Sequence, residues 1–212
     1  MKNRCVIVAG GDCCKDDLLL LCDTDYIIAA DSGLKILLEN GIEPQLLVGD
    51  FDSYNGQIPE GFEVIRLPEH KDDTDLLFAA RTGVEKGFKN FVVLGGYGSR
   101  PDQNLAMYST LLWLVTQHEG VTAAAISKKF SATVLFESTI DLQVGDDEYF
   151  SVFSLGGNAA GVNIINADYP LNNATLTPEF PIGVSNAKAN GGKVTISVKT
   201  GSLLIFKLKK NI

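Results

Sequence analysis

The sequence predicts an α/β fold over residues 1–127, a mostly parallel sheet with helices on both faces, followed by an all-β sandwich over 128–212. Three observations predict it. Short apolar runs alternate with helical patterns through the first half. Each run is near-continuously apolar, as a strand buried on both faces requires. After about residue 121 the long helical patterns stop, and β-rich segments follow, separated by Gly, Asn and Asp.

In order, "CVIVAG" (5–10), "YIIAADSG" (26–33), "LLVGD" (46–50) and "FVVLGG" (91–96) read as buried strands ending in small or acidic residues. Helical segments fall at roughly 15–22, 33–40, 74–87 and 102–118. Trp113 lies in the apolar stripe of the last one and reads as core. In the second domain the strands are "ATVLFES" (132–138), "YFSVFSLGG" (149–157) and "KVTISVKTGSLLIFKL" (193–208). The last predicts a hairpin turning near Thr200 and Gly201, because "VTISVK" alternates as a half-buried antiparallel strand does.

Composition narrows the function. The chain of 212 residues is 45% hydrophobic and 21% charged, ordinary for a folded soluble protein. Its 26 acidic residues outweigh 18 basic ones, and no long basic run could neutralise a phosphate backbone, so nucleic acid is not an expected partner. A metal ion or a cationic small molecule suits this balance better. The four cysteines, Cys5, Cys13, Cys14 and Cys22, form no C-x-x-C pair and lie far in sequence from His70 and His118, so they read as reduced thiols rather than a zinc site. The first apolar run is too short for a signal peptide, and no stretch suggests a membrane span. The expectation is a cytoplasmic protein without a membrane partner.

The notable acids of the first half fall where its strands end, and doubly wound sheets bind ligands there. Asp31 closes the second strand; Asp50 and Asp52 close the third. "KDDTD" (71–75) brings Lys71, Asp72, Asp73 and Asp75 to a helix start. "GGYGSRPDQ" (95–103) brings Arg100, Asp102 and Gln103 after another strand. If residues 50–52 are extended, the two aspartates point the same way, roughly 7 Å apart, and can share one hard cation such as magnesium. A turn in which they bond the backbone is the plainer alternative. Asp72 or Asp73 could cap the helix near Thr74, and within a helical first turn Asp72 and Asp75 would share a face. Lys71 and Arg100 could meet phosphate oxygens. The glycines and Pro101 suit an anion at a helix start. The inventory matches metal-assisted phosphoryl chemistry.

Taken in order, "AADSG", "VGDFDS", "KDDTD", "GGYGSRPDQNLA" and a late "GVSNA" resemble the thiamine pyrophosphokinases, and the resemblance spans both halves of the chain. It implies an α/β catalytic domain and a β-sandwich for thiamine binding and dimerisation, in a homodimer with thiamine between subunits. It implies transfer of the pyrophosphoryl group of ATP to the hydroxyl of thiamine, with Mg2+, giving thiamine diphosphate and AMP. By match, Asp50, Asp52, Asp72 and Asp75 are the metal residues. Lys71, Asp72, Arg100 and Asp102 are the catalytic set, Asp31 and Gln103 line the nucleotide region, and Ser185 and Asn186 bind thiamine. Ser99 stands where the family usually has Gly, and Ala187 where an acid is common. On the residues alone, a D-x-D phosphatase with Asp50 as nucleophile and a non-catalytic nucleotide- or thiamine-binding module remain alternatives.

Overall fold

A computed structural model of the chain describes residues 4–51, 60–68, 72–189 and 192–210. These fall into two compact units, residues 1–114 with 118–128, and residues 115–117 with 129–212.

The first unit runs β1 (Cys5–Val8), α1 (Lys15–Leu18), β2 (Tyr26–Ala30), α2 (Gly33–Glu39), β3 (Leu46–Gly49), β4 (Glu63–Arg66), α3 (Asp75–Glu85), β5 (Asn90–Leu94), α4 (Pro101–Gln117) and β6 (Thr122–Ile126). Its strands pair in the order β4-β3-β2-β1-β5-β6, every pair parallel. All four residues of β1 are fully buried, because helices cover both faces. Val6, Val8, Leu47 and Val92 share one core with Leu34 and Leu37 of α2, while α3 packs against β1, β2 and β3. Two strands of this unit were not foreseen, nor were Thr139–Gln143 and Leu171–Leu176 of the second. β4, "EVIR", is an edge strand with charged ends, and β6, "TAAAI", is rich in alanine. Each mixes β-branched residues with ones that strands disfavour, Glu63 in β4 and three alanines in β6. Its run is therefore too short and mixed to stand out in the sequence, and pairing with a neighbour makes it a strand.

The second unit consists mainly of strands: β7 (Phe130–Phe136), β8 (Thr139–Gln143), β9 (Glu148–Ile165), β10 (Leu171–Leu176), β11 (Lys193–Ser197) and β12 (Thr200–Lys209). The long β9 serves two layers. Residues 148–155 pair with β12, which pairs with β7; residues 163–165 pair with β11, which pairs with β8. Phe150, Val152, Leu203 and Ile205 from one layer meet Val162, Ile164, Val194 and Ile196 from the other in one core, the arrangement of a sandwich.

The predicted hairpin is corrected. β11 and β12 follow each other in sequence but do not pair, because β9 lies between them. The chain crosses layers at residues 198–199, where Val198 N–H donates to Ser138 O (3.0 Å) and Lys199 N–H to Ala160 O (3.1 Å). Alternation in "VTISVK" reported a half-buried strand correctly, but alternation does not name the neighbour.

One buried ion pair fixes the entry to β2. The Asp25 carboxylate, 1% exposed, accepts Arg4 Nη2 at 2.6 Å and Nε at 2.9 Å, and the Cys22 N–H at 2.8 Å. Burial alone would raise its pKa; the Arg4 and Cys22 bonds outweigh burial and hold it below the ordinary 3.8. A depressed carboxyl stabilises the fold above its unfolded pKa and loses that contribution as pH falls through the folded value. Asp25→Ala is therefore expected to cost about 2–4 kcal/mol at neutral pH. Urea unfolding of both proteins down the acid limb should show the difference closing; a constant difference would contradict the assignment. Among the described residues, no helix is long and apolar enough to cross a membrane.

Candidate active site

In an open parallel sheet, ligands bind beyond the carboxyl ends of the strands where strand order reverses. Here that point is β1, with β2 on one side and β5 on the other. A cleft of about 640 Å³ opens there, lined by residues 9–12 after β1, 30–32 after β2, Asp50 after β3, 73–76 at the start of α3, and 95–100 with 103–104 at the start of α4.

The turns after β1 and β5 are fastened together. Gly11 N–H donates to Gly95 O (2.8 Å) and Asp12 N–H to Tyr97 O (2.6 Å). A Cβ on Gly11 would lie 2.4 Å from Tyr97 O, and Gly95 adopts φ +64, so both positions require glycine. Asn104 clamps the loop further: its Oδ1 accepts the Gly98 N–H and its Nδ2 donates to Gly98 O, both at 2.9 Å. Pro101 opens α4 with Arg100 as its N-cap, the expected geometry for a helix start facing an anion.

The acids arrive by different routes. Asp31 sits at φ +46 directly after β2, held by its N–H to Val48 O (2.8 Å). Such left-handed non-glycine residues are strained and cluster at functional sites. Asp50 follows β3 and lines the cleft. Phe51 takes φ +59, its ring buried and 5.7 Å from the Arg66 guanidinium. The expectation of an extended 50–52 segment is thus corrected at Phe51, whose backbone is left-handed. Asp52 and Lys71 lie outside the described residues.

At α3 the cap is Thr74, whose Oγ1 accepts the Leu77 N–H at 3.2 Å, so neither Asp72 nor Asp73 caps it. The helix begins at Asp75; Asp72 precedes it, is exposed, and is not among the cleft-lining residues. A helical face shared by Asp72 and Asp75 therefore does not form. Asp73 does line the cleft, in an ion pair with Arg81. That guanidinium sits 5.7 Å from the Trp113 ring centroid, and Trp113 is half-buried rather than core.

Arg100 and Gln103 line the cleft; Asp102 does not. Asp102 is instead ion-paired to Arg100 (Nη2–Oδ2, 2.5 Å), which holds its carboxyl below the usual range. Asp73 stood among the rim acids of "KDDTD" and does line the cleft; Asp12, Tyr97 and Asn104 were not expected. Asp12 carried the same signal as Asp50, an acid ending a strand-terminal glycine run. Asn104 carried none, since its partner is a loop defined only by the fold.

The donor set suits a hard divalent cation. Asp12, Asp31, Asp50, Asp73 and Asp75 line one cleft, and carboxylate oxygens are magnesium's preferred protein ligands, supplemented by water and phosphate. Among the described residues no three His, Cys, Asp or Glu side chains form a ready metal cage.

In the second unit, Ser185 and Asn186 divide their tasks. Ser185 is exposed, at φ +59, with its N–H on Ser151 Oγ (3.0 Å). Asn186 is 4% exposed. Its Oδ1 accepts the N–H groups of Tyr169 (3.0 Å) and Ala187 (2.9 Å), and its Nδ2 donates to Tyr169 O (2.8 Å). Its side chain holds the segment in place.

An open parallel sheet with an acid-lined cleft and glycine turns at its switch point, in a chain with a separate β unit, defines an α/β protein with a candidate ligand site at that switch point. Comparison with known proteins is specific. The profile of the thiamin pyrophosphokinase catalytic domain matches residues 18–123, and that of the thiamin pyrophosphokinase vitamin B1 binding domain matches residues 137–203. Thiamin pyrophosphokinase 1 of Caenorhabditis elegans is 26% identical over 195 residues, covering 87% of this chain and 79% of that protein. The thiamine pyrophosphokinase of Bacillus subtilis is 26% identical over 186 residues, 85% of this chain and 86% of that one. The crystal structure of the Bacillus subtilis thiamine pyrophosphokinase shares the fold, with a TM-score of 0.88 at 24% identity over 98% of this chain and 99% of that chain. The chain belongs to the thiamin pyrophosphokinase family.

Proposed function

We propose that the protein transfers the pyrophosphoryl group of ATP to the hydroxyl of thiamine, forming thiamine diphosphate and AMP. The observation that carries this reading is the convergence of Asp12, Asp31, Asp50, Asp73 and Asp75 with a glycine-rich turn on one cleft, in a chain matched in both halves by thiamin pyrophosphokinase domains. The thiamine hydroxyl oxygen attacks the β-phosphorus, an O–P bond forms, and the bond between the α,β-bridging oxygen and the β-phosphorus breaks to release AMP. Such transfers depend on positioning and charge neutralisation more than on covalent help.

Asp50 and Asp75, with Asp52 and Asp72 from the same segments, hold Mg2+ in this reading. The ion supplies charge neutralisation on the phosphate oxygens and the leaving AMP. Asp31 and Gln103 line the nucleotide region, and Lys71 and Arg100 support the phosphates. Asp102, already paired to Arg100 and shifted away from proton uptake, is a poor base, and Asp72 is exposed and outside the cleft lining, so the hydroxyl proton falls to one of the carboxylates that line the cleft. Residues 128–212 bind thiamine through Ser185 and form the homodimer interface, in a cytoplasmic enzyme.

The phosphatase alternative has no comparable support, since both halves match domains of another activity. The test is to incubate the protein with ATP, Mg2+ and thiamine and to quantify thiamine diphosphate and AMP, with each component omitted in turn. Equal amounts of the two products, absent without thiamine or metal, are expected. Phosphate release independent of thiamine would refute the reading.

A further inference from the structure

We propose that Tyr97 is the platform on which the nucleobase of ATP stacks, making it a binding residue for the base of the donor; the inference rests on the reading of the cleft as the ATP site. Among the described residues that line the cleft, Tyr97 is the one aromatic. The rest of the lining is glycine, acid, hydroxyl, amide and guanidinium with a little alanine and leucine, suited to phosphates, ribose and cation but not to a flat heteroaromatic ring. A nucleobase needs a π-surface, and an aromatic side chain supplies it regardless of the base's hydrogen-bonding edge.

Tyr97 is 44% exposed, and it stands between Gly96 and Gly98, which carry no side chains to cover it. The loop that carries it is nevertheless fixed. Its carbonyl accepts the Asp12 N–H at 2.6 Å, and Asn104 grips Gly98 on the next residue through two bonds. On the α4 side it neighbours Tyr108, whose phenol is pushed up to about 12 by burial first and by Tyr97 second. A ring that is exposed yet carried on a tied loop is pre-organised for a ligand, and little ordering entropy remains to be lost on binding. The same loop leads, three residues later, to Arg100 and the start of α4, where a phosphate is favoured. One short turn thus offers a stacking surface and a phosphate end, the two parts of a nucleotide. The pyrimidine of thiamine could use the same stacking chemistry, but thiamine brings no phosphate to that helix start.

The test compares calorimetric binding of ATP, inorganic tripolyphosphate and thiamine, each with Mg2+, to wild type, Tyr97→Ala and Tyr97→Phe. Tyr97→Ala should bind ATP about tenfold or more weakly, as loss of one base–aromatic stack does, and bind tripolyphosphate as wild type does. Tyr97→Phe should keep ATP affinity. Equal weakening of ATP and tripolyphosphate by Tyr97→Ala would mean a role in loop structure only, and weakened thiamine binding with ATP unchanged would move the stack to the acceptor; either result overturns the inference. Wild-type ATP affinity in Tyr97→Ala overturns it while leaving the ATP site intact. Failure of wild type to bind ATP overturns the site reading and the inference together.

Discussion

Asp50→Asn and Asp75→Asn should each lower kcat/KM for thiamine diphosphate formation by at least about 100-fold, and neither should lower the unfolding free energy. The two effects have opposite signs for one physical reason. Five acidic residues line one cleft in a chain of net charge −8, so in the metal-free fold each carboxylate repels the others. Replacing one by its neutral isostere keeps the shape and removes part of that repulsion, so stability should hold or rise. In the proposed working complex the same carboxylates would face a divalent ion and the polyphosphate, and the loss would fall on the transition state; 100-fold corresponds to about 2.7 kcal/mol. Combining steady-state rates over a magnesium series with thermal unfolding of the metal-free protein checks both halves. Each variant should also require more magnesium for half-maximal rate. Wild-type rates in both variants, or activity lost together with stability, would remove these residues from the metal site.

How much of this was legible from sequence differs by kind of feature. The four apolar strands of the first half were readable because burial on both faces forces an unbroken apolar run, and helical periodicity located α2, α3 and α4, while the helix expected over 15–22 forms only the single turn Lys15–Leu18. The cleft was readable in outline for the same reason: Asp31, Asp50, Asp75, Arg100 and Gln103 stand at element ends, and in a parallel sheet the ends of the strands share one rim. What failed was geometry that depends on a single dihedral or a distant partner. Phe51 has an ordinary sequence context for an extended residue, yet its backbone is left-handed and its ring is buried in the core. Asp72 looked equivalent to Asp73, but one helix boundary separates them from Asp75 and only Asp73 lines the cleft. β4 and β6 carry their β-branched residues in runs too short and mixed to stand out, and pairing with β3 and β5 defines them. Asn104 reads as a polar helical residue; the loop it grips exists only in three dimensions.

The matched Ser-Asn pair should separate cleanly under mutation. Asn186→Ala is expected to destabilise the protein by about 3 kcal/mol in urea unfolding, because it leaves the N–H of Tyr169, the N–H of Ala187 and the C=O of Tyr169 without the partner they now have. Asn186→Asp should not rescue it: the carboxylate can accept both N–H groups, but it cannot donate to Tyr169 O and would bring an uncompensated charge to a site 4% exposed. Ser185→Gly should do the reverse. Serine at φ +59 is strained by roughly 1 kcal/mol relative to glycine, and its structural bond to Ser151 runs through the backbone N–H, which glycine keeps. Stability should therefore hold or rise, while the KM for thiamine increases through loss of the exposed hydroxyl. The strain at Ser185 is then explained as the cost of presenting that hydroxyl, and Asn186 as the staple that maintains it. An Asn186→Ala protein as stable as wild type would show the staple to be dispensable, and an unaltered thiamine KM in Ser185→Gly would take the hydroxyl out of the binding site.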